Sequence, residues 1–173
     1  MKDLILFGDC KKTLSAFLPK SARMCVTSPP YYGLRDYGGE DKQIGQEDTP
    51  EEFINNLVEV FREVRDILTD DGTLWVNLGD SYYNYRPGKG QSYPKQTVSK
   101  TKQDLPDKCA KRANKLEGLK EKDLIGIPWL FAFAMRNDGW YLRQDIIWHK
   151  PNPMPESVRD RCTKSHEYIF LFS

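Results

Sequence analysis

The sequence predicts an α/β fold whose sheet is mostly parallel and finishes in an antiparallel hairpin, and three observations predict it. Short apolar runs alternate with amphipathic stretches through the first two thirds of the chain. Two strand-like runs, Tyr141–Trp148 and Glu167–Phe172, then follow one another with no helix between them. Length and composition agree: 173 residues, 39% hydrophobic and 12% aromatic, suit one domain with a real core and are too few for two.

In order along the chain, Leu4-Ile5-Leu6-Phe7 reads as a buried strand closed by Gly8-Asp9. Asp9 is placed to cap a helix whose apolar residues Leu14, Phe17 and Leu18 fall at helical spacing. Met24–Thr27 is a second strand, stopped by Ser28-Pro29-Pro30, and residues 32–48 read as a loop. The next helix carries the strongest local signals. Thr49 is an N-cap, Pro50 takes the first helical position and Glu52 completes a capping box. Phe53, Leu57, Val60, Phe61, Val64, Ile67 and Leu68 form its apolar stripe. Asp70-Asp71-Gly72 predicts a turn, and Thr73–Leu78 a third strand. Periodicity then vanishes over about 82–121, a long insertion expected to order only on a partner. A helix over Ile127–Asn137 ends near Gly139, and the two late strands follow around Pro151–Pro155. No internal repeat occurs.

Charge is unevenly spread. Formal net charge is only +1, yet Arg86–Lys122 holds eleven Lys or Arg against four Asp or Glu, a local +7 that leaves −6 elsewhere. Such a segment suits a polyanion, and Arg86, Lys89, Lys95, Lys100, Lys102, Lys108, Lys111, Arg112 and Lys115 are its candidate phosphate contacts. A solvated charged loop would look the same. The four cysteines lack zinc spacing and the two histidines stand apart, so no metal is expected. No apolar run approaches a membrane span, and the N-terminus enters a strand pattern without a signal-peptide cleavage region. The cytoplasm is the expected compartment.

Ser28-Pro29-Pro30-Tyr31 is the candidate site. It ends a strand, where open α/β sheets bind ligands. An exocyclic amine on cytosine or adenine is a poor nucleophile because its lone pair is delocalised into the ring. Two acceptors, one for each amino hydrogen, favour the tetrahedral geometry it needs. The Ser28 side chain offers one acceptor and the Pro29 carbonyl the other, since successive prolines leave carbonyls without amide donors beside them. Tyr31 offers a flat face for an extruded base, worth roughly 1–3 kcal/mol. Alone, the tetrapeptide serves equally well as a strand turned by prolines.

Six ordered blocks remove that ambiguity: Leu6–Cys10, Thr27–Gly38, Asp71–Tyr82, Gly139–Arg143, Trp148–Pro155 and His166–Leu171. Together they resemble the β-class amino (N4-cytosine or N6-adenine) DNA methyltransferases, in which the target-base motif precedes the cofactor loop. The resemblance implies a partial Rossmann-like methyltransferase sheet and S-adenosyl-L-methionine as cofactor. It also implies a flipped base in double-stranded DNA as substrate. It assigns catalysis and base holding to Ser28, Pro29, Pro30 and Tyr31, and places Asp9 and Ser28 near the cofactor. Asp9 serves equally as a plain helix cap, and a turn role suits Asp80 and Ser81. Ser28 in place of an aspartate leans toward cytosine N4, with adenine N6 as the alternative. No Pro-Cys pair supplies a nucleophile for carbon-5 chemistry, Cys25 reads as strand packing and His149 as structural.

None of the twelve glycines forms the family's Phe-x-Gly-x-Gly cofactor turn after an apolar strand. Residues 1–173 therefore read as an incomplete catalytic domain, expected to be inactive alone. Its open sheet edge should lead to self-association or to a complementing C-terminal chain. The competing readings are a non-catalytic DNA-binding module and an inert remnant.

Overall fold

The computed structural model describes residues 3–34, 43–83, 116 and 118–173. They form seven elements in the order α1 (Cys10–Leu14), β1 (Ala22–Thr27), α2 (Pro50–Ile67), β2 (Leu68–Leu78), α3 (Ile127–Asn137), β3 (Leu142–His149) and β4 (His166–Phe172). The four strands make one sheet in the order β1-β2-β4-β3. β1 and β2 pair in parallel, whereas β4 is antiparallel to both β2 and β3. The α/β class and the terminal hairpin match expectation. β4 alone runs against the other three strands, so only one neighbouring pair is parallel.

α2 is set by local chemistry. Thr49 caps it, its side chain accepting from the Glu52 amide at 3.2 Å, and Pro50 opens the first turn. Its buried face comprises Phe53, Ile54, Leu57, Val58, Phe61 and Val64. α3 lies beside it, and both cover one face of the sheet, where Leu74, Val76, Leu78, Phe170 and Phe172 are fully buried. Each such side chain contributes roughly 1.5–3 kcal/mol by leaving water. The two helices are tied at their far ends. Arg62 Nε donates to Asp138 Oδ1 at 2.8 Å and Arg65 Nη1 to the Asp138 carbonyl at 2.7 Å.

Three local expectations change. Leu4–Phe7 is not a strand: it has no strand neighbour among the described residues and is exposed, Phe7 to 92%. Apolar content supplies burial energy only where a pairing partner exists. The first helix stops at Leu14, leaving Phe17 and Leu18 exposed. Pro19 disfavours helical backbone at the residue before it. Asp70-Asp71-Gly72 does not end an element. Ala22 pairs with Leu68 and Met24 with Thr73, so the segment bulges within the single long strand β2.

The base of the insertion is closed by backbone bonds. Ile125 N donates to Ser81 O at 3.0 Å, Tyr83 N to Asp123 O at 2.8 Å and Lys122 N to Tyr83 O at 2.7 Å. The candidate phosphate contacts from Arg86 to Lys115 lie outside the described residues.

Candidate active site

Ser28, Pro29, Pro30 and Tyr31 leave the carboxyl end of β1, next to the end of β2. Register places them. Val76 pairs with Thr27 and Phe170 and faces the helices, so Asn77, opposite Ile169, faces the other side. Ser28 is exposed, while Pro29, Pro30 and Tyr31 are half-buried. Tyr31 crosses to Asn77, and its hydroxyl lies 2.9 Å from both Asn77 Oδ1 and Glu167 Oε2. Asn77 Nδ2 donates to the Tyr168 carbonyl at 3.1 Å, which fixes its amide. Glu167 in turn pairs with the Lys150 ammonium. A polar chain thus runs from the end of β3, through the start of β4, to the motif.

Two glycines make room for this. Gly79 is buried, and a Cβ there would sit 2.6 Å from Tyr31 Cε2. Gly45, at φ +99°, would bring one within 3.1 Å of the Tyr31 carbonyl oxygen. Gly45 O accepts from Gly33 N at 2.8 Å, and Gly45 N donates to Glu47 at 2.8 Å, so residues 43–47 back the motif. Tyr32 packs on Phe53 with ring centroids 5.5 Å apart, and its carbonyl accepts from the Ser81 hydroxyl at 3.2 Å. The Tyr32 phenol is pushed up by burial and by Glu47, Glu51, Asp48 and Glu52.

Electrostatics follow the contacts. Burial pushes the Tyr31 phenol up to about 12; contact with the Ser28 hydroxyl opposes this, while the Glu167 hydrogen bond and charge add to it. Burial acts to raise the Glu167 carboxyl, but hydrogen bonds from Lys150 and Tyr31 and the Lys150 charge hold it below the usual range. The half-buried Lys164 ammonium is lowered by burial, against the pull of Asp80, Glu167 and Glu156. Burial also raises the Cys25 thiol, as strand packing requires.

Asp80 does more than turn the chain. Its Oδ1 accepts from Ser81 N at 2.9 Å and from Gly126 N and Ile127 N at 3.0 Å each. It therefore caps α3, whose own N-cap, Gly126, has no side chain to do so. Asp9 is the N-cap of α1, accepting from Lys11 N at 2.9 Å. His149 is exposed at the end of edge strand β3. Sequence reasoning missed Asn77, Gly79, Lys150 and Glu167. Asn77 alone carried a local signal, as the polar residue in an otherwise apolar strand end.

Beside Ser28 an apolar groove of about 570 Å³ runs between Leu4, Leu6, Gly8, Phe17, Val26 and Pro29. Among the described residues no group of His, Cys, Asp and Glu could hold a metal ion, and no helix is long and apolar enough to cross a membrane.

A mixed α/β sheet of this kind is the architecture found by comparison. The N6/N4 DNA methylase family model matches residues 22–173, and the chain belongs to that family. It is 51% identical over 174 residues to the Type II methyltransferase M.SmaI of Serratia marcescens, covering 98% of this chain and 55% of that protein. It is 51% identical over 166 residues to M.Cfr9I of Citrobacter freundii, covering 96% and 52%. Among solved structures, the PvuII DNA methyltransferase (cytosine-N4-specific) superposes with a TM-score of 0.62 at 18% identity, over 96% of this chain and 47% of that one. A DNA modification methylase of Thermus thermophilus, complexed with S-adenosyl-L-methionine, gives 0.60 at 22%, over 95% and 50%. At these identities the two structures speak for the fold. The chain spans about half the length of the curated relatives it matches.

Proposed function

We propose that this chain is the base-holding half of a DNA methyltransferase that moves a methyl group from S-adenosyl-L-methionine to the N4 amine of cytosine. The observation that carries the reading is Ser28, exposed at the strand end while Tyr31 behind it is anchored. Ser28 Oγ and the Pro29 carbonyl each take one amino hydrogen of an extruded base, and the nitrogen becomes tetrahedral as it attacks. The free part of the Tyr31 ring gives the base a surface, although its hydroxyl is committed to Asn77 and Glu167. Ser28 in place of an aspartate leans the assignment toward cytosine N4 over adenine N6, and the likeness of fold to a cytosine-N4-specific enzyme is in keeping with it.

The residues present fit one wall of a cofactor site. The groove beside Ser28 is lined by Leu4, Leu6, Gly8 and Pro29, with Asp9 next in sequence. Ser28 lines this groove and Asp9 lies between its lining residues Gly8 and Cys10, and we assign both to S-adenosyl-L-methionine. When bound, that cofactor supplies an electrophilic methyl on a positively charged sulfur. The glycine turn of the family is not among the 173 residues, so the facing wall is assigned here to a complementing segment outside them. The basic insertion follows the DNA backbone.

The test is reconstitution with a cofactor-binding half from a relative, followed by methyl incorporation into DNA and digestion to nucleosides. N4-methylcytosine is the expected product, and N6-methyladenine overturns the cytosine assignment. A pair that shifts DNA but transfers nothing favours a binding module.

A further inference from the structure

We propose that the cavity between the β3–β4 loop and the base of the insertion is a second nucleotide site, taking the nucleotide beside the extruded base in the same DNA strand. Its place on that strand rests on the base-holding reading above. The cavity holds about 490 Å³, and Tyr82, Tyr83, Lys122, Arg159, Asp160 and Arg161 line it. It stands on the sheet edge that carries Ser28. Tyr168 lies opposite Leu78 and His166 opposite His149, so the ends of β2 and β3 and the start of β4 share that edge with the end of β1. Tyr82 is also one residue from Ser81, whose hydroxyl donates to the Tyr32 carbonyl.

The walls have the chemistry a nucleotide needs. The Arg161 guanidinium lies over the Tyr82 ring, 3.7 Å from its centroid, and the pair makes a flat cationic wall on which a base can stack. That wall is held in place. Arg161 Nη1 pairs with Glu156 Oε2, and both atoms are shut off from water. Lys122 has a left-handed backbone, φ +75°, which a residue with a Cβ rarely adopts. Its amide donates to the Tyr83 carbonyl at 2.7 Å and its ammonium to Asp160 at 2.5 Å, tying the insertion base to the loop. Arg159 is exposed and makes no ion pair among the described residues, which leaves it for a phosphate. Glu121, the lining carboxylate outside these pairs, is an acceptor suited to the amino hydrogens of a base.

Fluorescein-labelled tetradeoxycytidylate, titrated into the full chain and read by anisotropy, tests this. Tyr82→Leu should weaken binding roughly five- to a hundredfold, the loss of one stacked base, while Tyr82→Phe keeps the ring and should bind as wild type. Arg159→Ser should lower the slope of log affinity on log salt by about 0.7, one phosphate contact on a single strand. A probe with the same phosphates and no bases should respond to Arg159→Ser but not to Tyr82→Leu. A wild-type chain that leaves tetradeoxycytidylate free overturns the proposal. So does an unchanged slope in Arg159→Ser, an exposed position whose replacement leaves the core intact. Equal losses on both probes in Tyr82→Leu also overturn it, since they would mean only that the loop has come loose. In the reconstituted pair, Tyr82→Leu should raise KM for DNA and leave kcat unchanged. An inactive pair whose isolated chain binds as stated sinks the base-holding reading and leaves the nucleotide site standing. An active pair indifferent to Tyr82→Leu sinks the nucleotide site alone.

Discussion

Gly79 and Tyr31 are in contact so close that no side chain fits between them: a Cβ on Gly79 would lie 2.6 Å from Cε2 and 3.0 Å from Cδ2 of the ring. Gly79 follows β2 directly, and the tyrosine belongs to the motif at the end of β1. Gly79→Ala must push either the ring or the strand end. Overpacking of this kind costs typically about 1–3 kcal/mol. The urea midpoint should fall accordingly, and the reconstituted pair should lose turnover because Tyr31 leaves Asn77 and Glu167. An unchanged midpoint would mean that the ring has room to retreat.

Ser28→Ala separates chemistry from folding. Ser28 is exposed and no core residue depends on it, so stability should not change. Turnover in the reconstituted pair should drop about 10²–10³-fold, the usual cost of removing one preorganised hydrogen-bond partner of the transition state. DNA affinity in a gel-shift titration should stay the same. Equal losses of affinity and turnover would assign Ser28 to binding alone.

How much of this was legible depends on how far apart the cooperating residues lie. α2 could be read from Thr49, Pro50 and Glu52 because a capping box is local, and α3 from its apolar run ending near Gly139. The Ser28–Tyr31 motif was legible because its residues are adjacent. Glu167 was not, since it meets Tyr31 across 136 positions through a strand pairing that no local pattern encodes. Asp70-Asp71-Gly72 was misread because turns and bulges use the same residues, and only the register of β1 on β2 tells them apart. Leu4–Phe7 has the composition of a strand, but composition cannot supply a neighbour.

Asp80 should prove structural before it proves anything else. One carboxylate oxygen serves three amides, two of them at the start of α3. Asp80→Ala removes that cap and should cost about 0.5–2 kcal/mol in urea denaturation. Asp80→Asn keeps an oxygen acceptor and should recover most of the loss. If the asparagine variant is as unstable as alanine, charge at the helix N-terminus matters more than the hydrogen bonds.

Glu167 gives the fold a dependence on acid. Its folded pKa is lowered below the ordinary 4.5, so its contribution is complete above that pH and is lost as pH falls through the folded value. The melting temperature of the wild-type chain should therefore fall toward that of Glu167→Gln on acidification below about 4.5, and the gap should stay constant above it. A gap that widens on acidification would mean the carboxyl is held neutral, contrary to its pairing with Lys150.

The open side of β1 makes the last prediction. β1 is the edge of the sheet, and its outward residues Met24 and Val26 are exposed, Val26 to 67%. Leu4, Leu6 and Phe17 border the same groove. A strand edge and an apolar wall left together in water favour addition of another strand. The wild-type chain should thus associate at micromolar concentration in sedimentation velocity, and the cofactor-binding half of a relative should displace the self-contact. Val26→Asp places a charge where that strand must dock, without touching the core under α2 and α3. It should give a monomer, block complementation and leave the unfolding free energy from urea denaturation within about 0.5 kcal/mol of wild type. A wild-type monomer, or a Val26→Asp chain that complements as well as wild type, would show that β1 is not the docking edge.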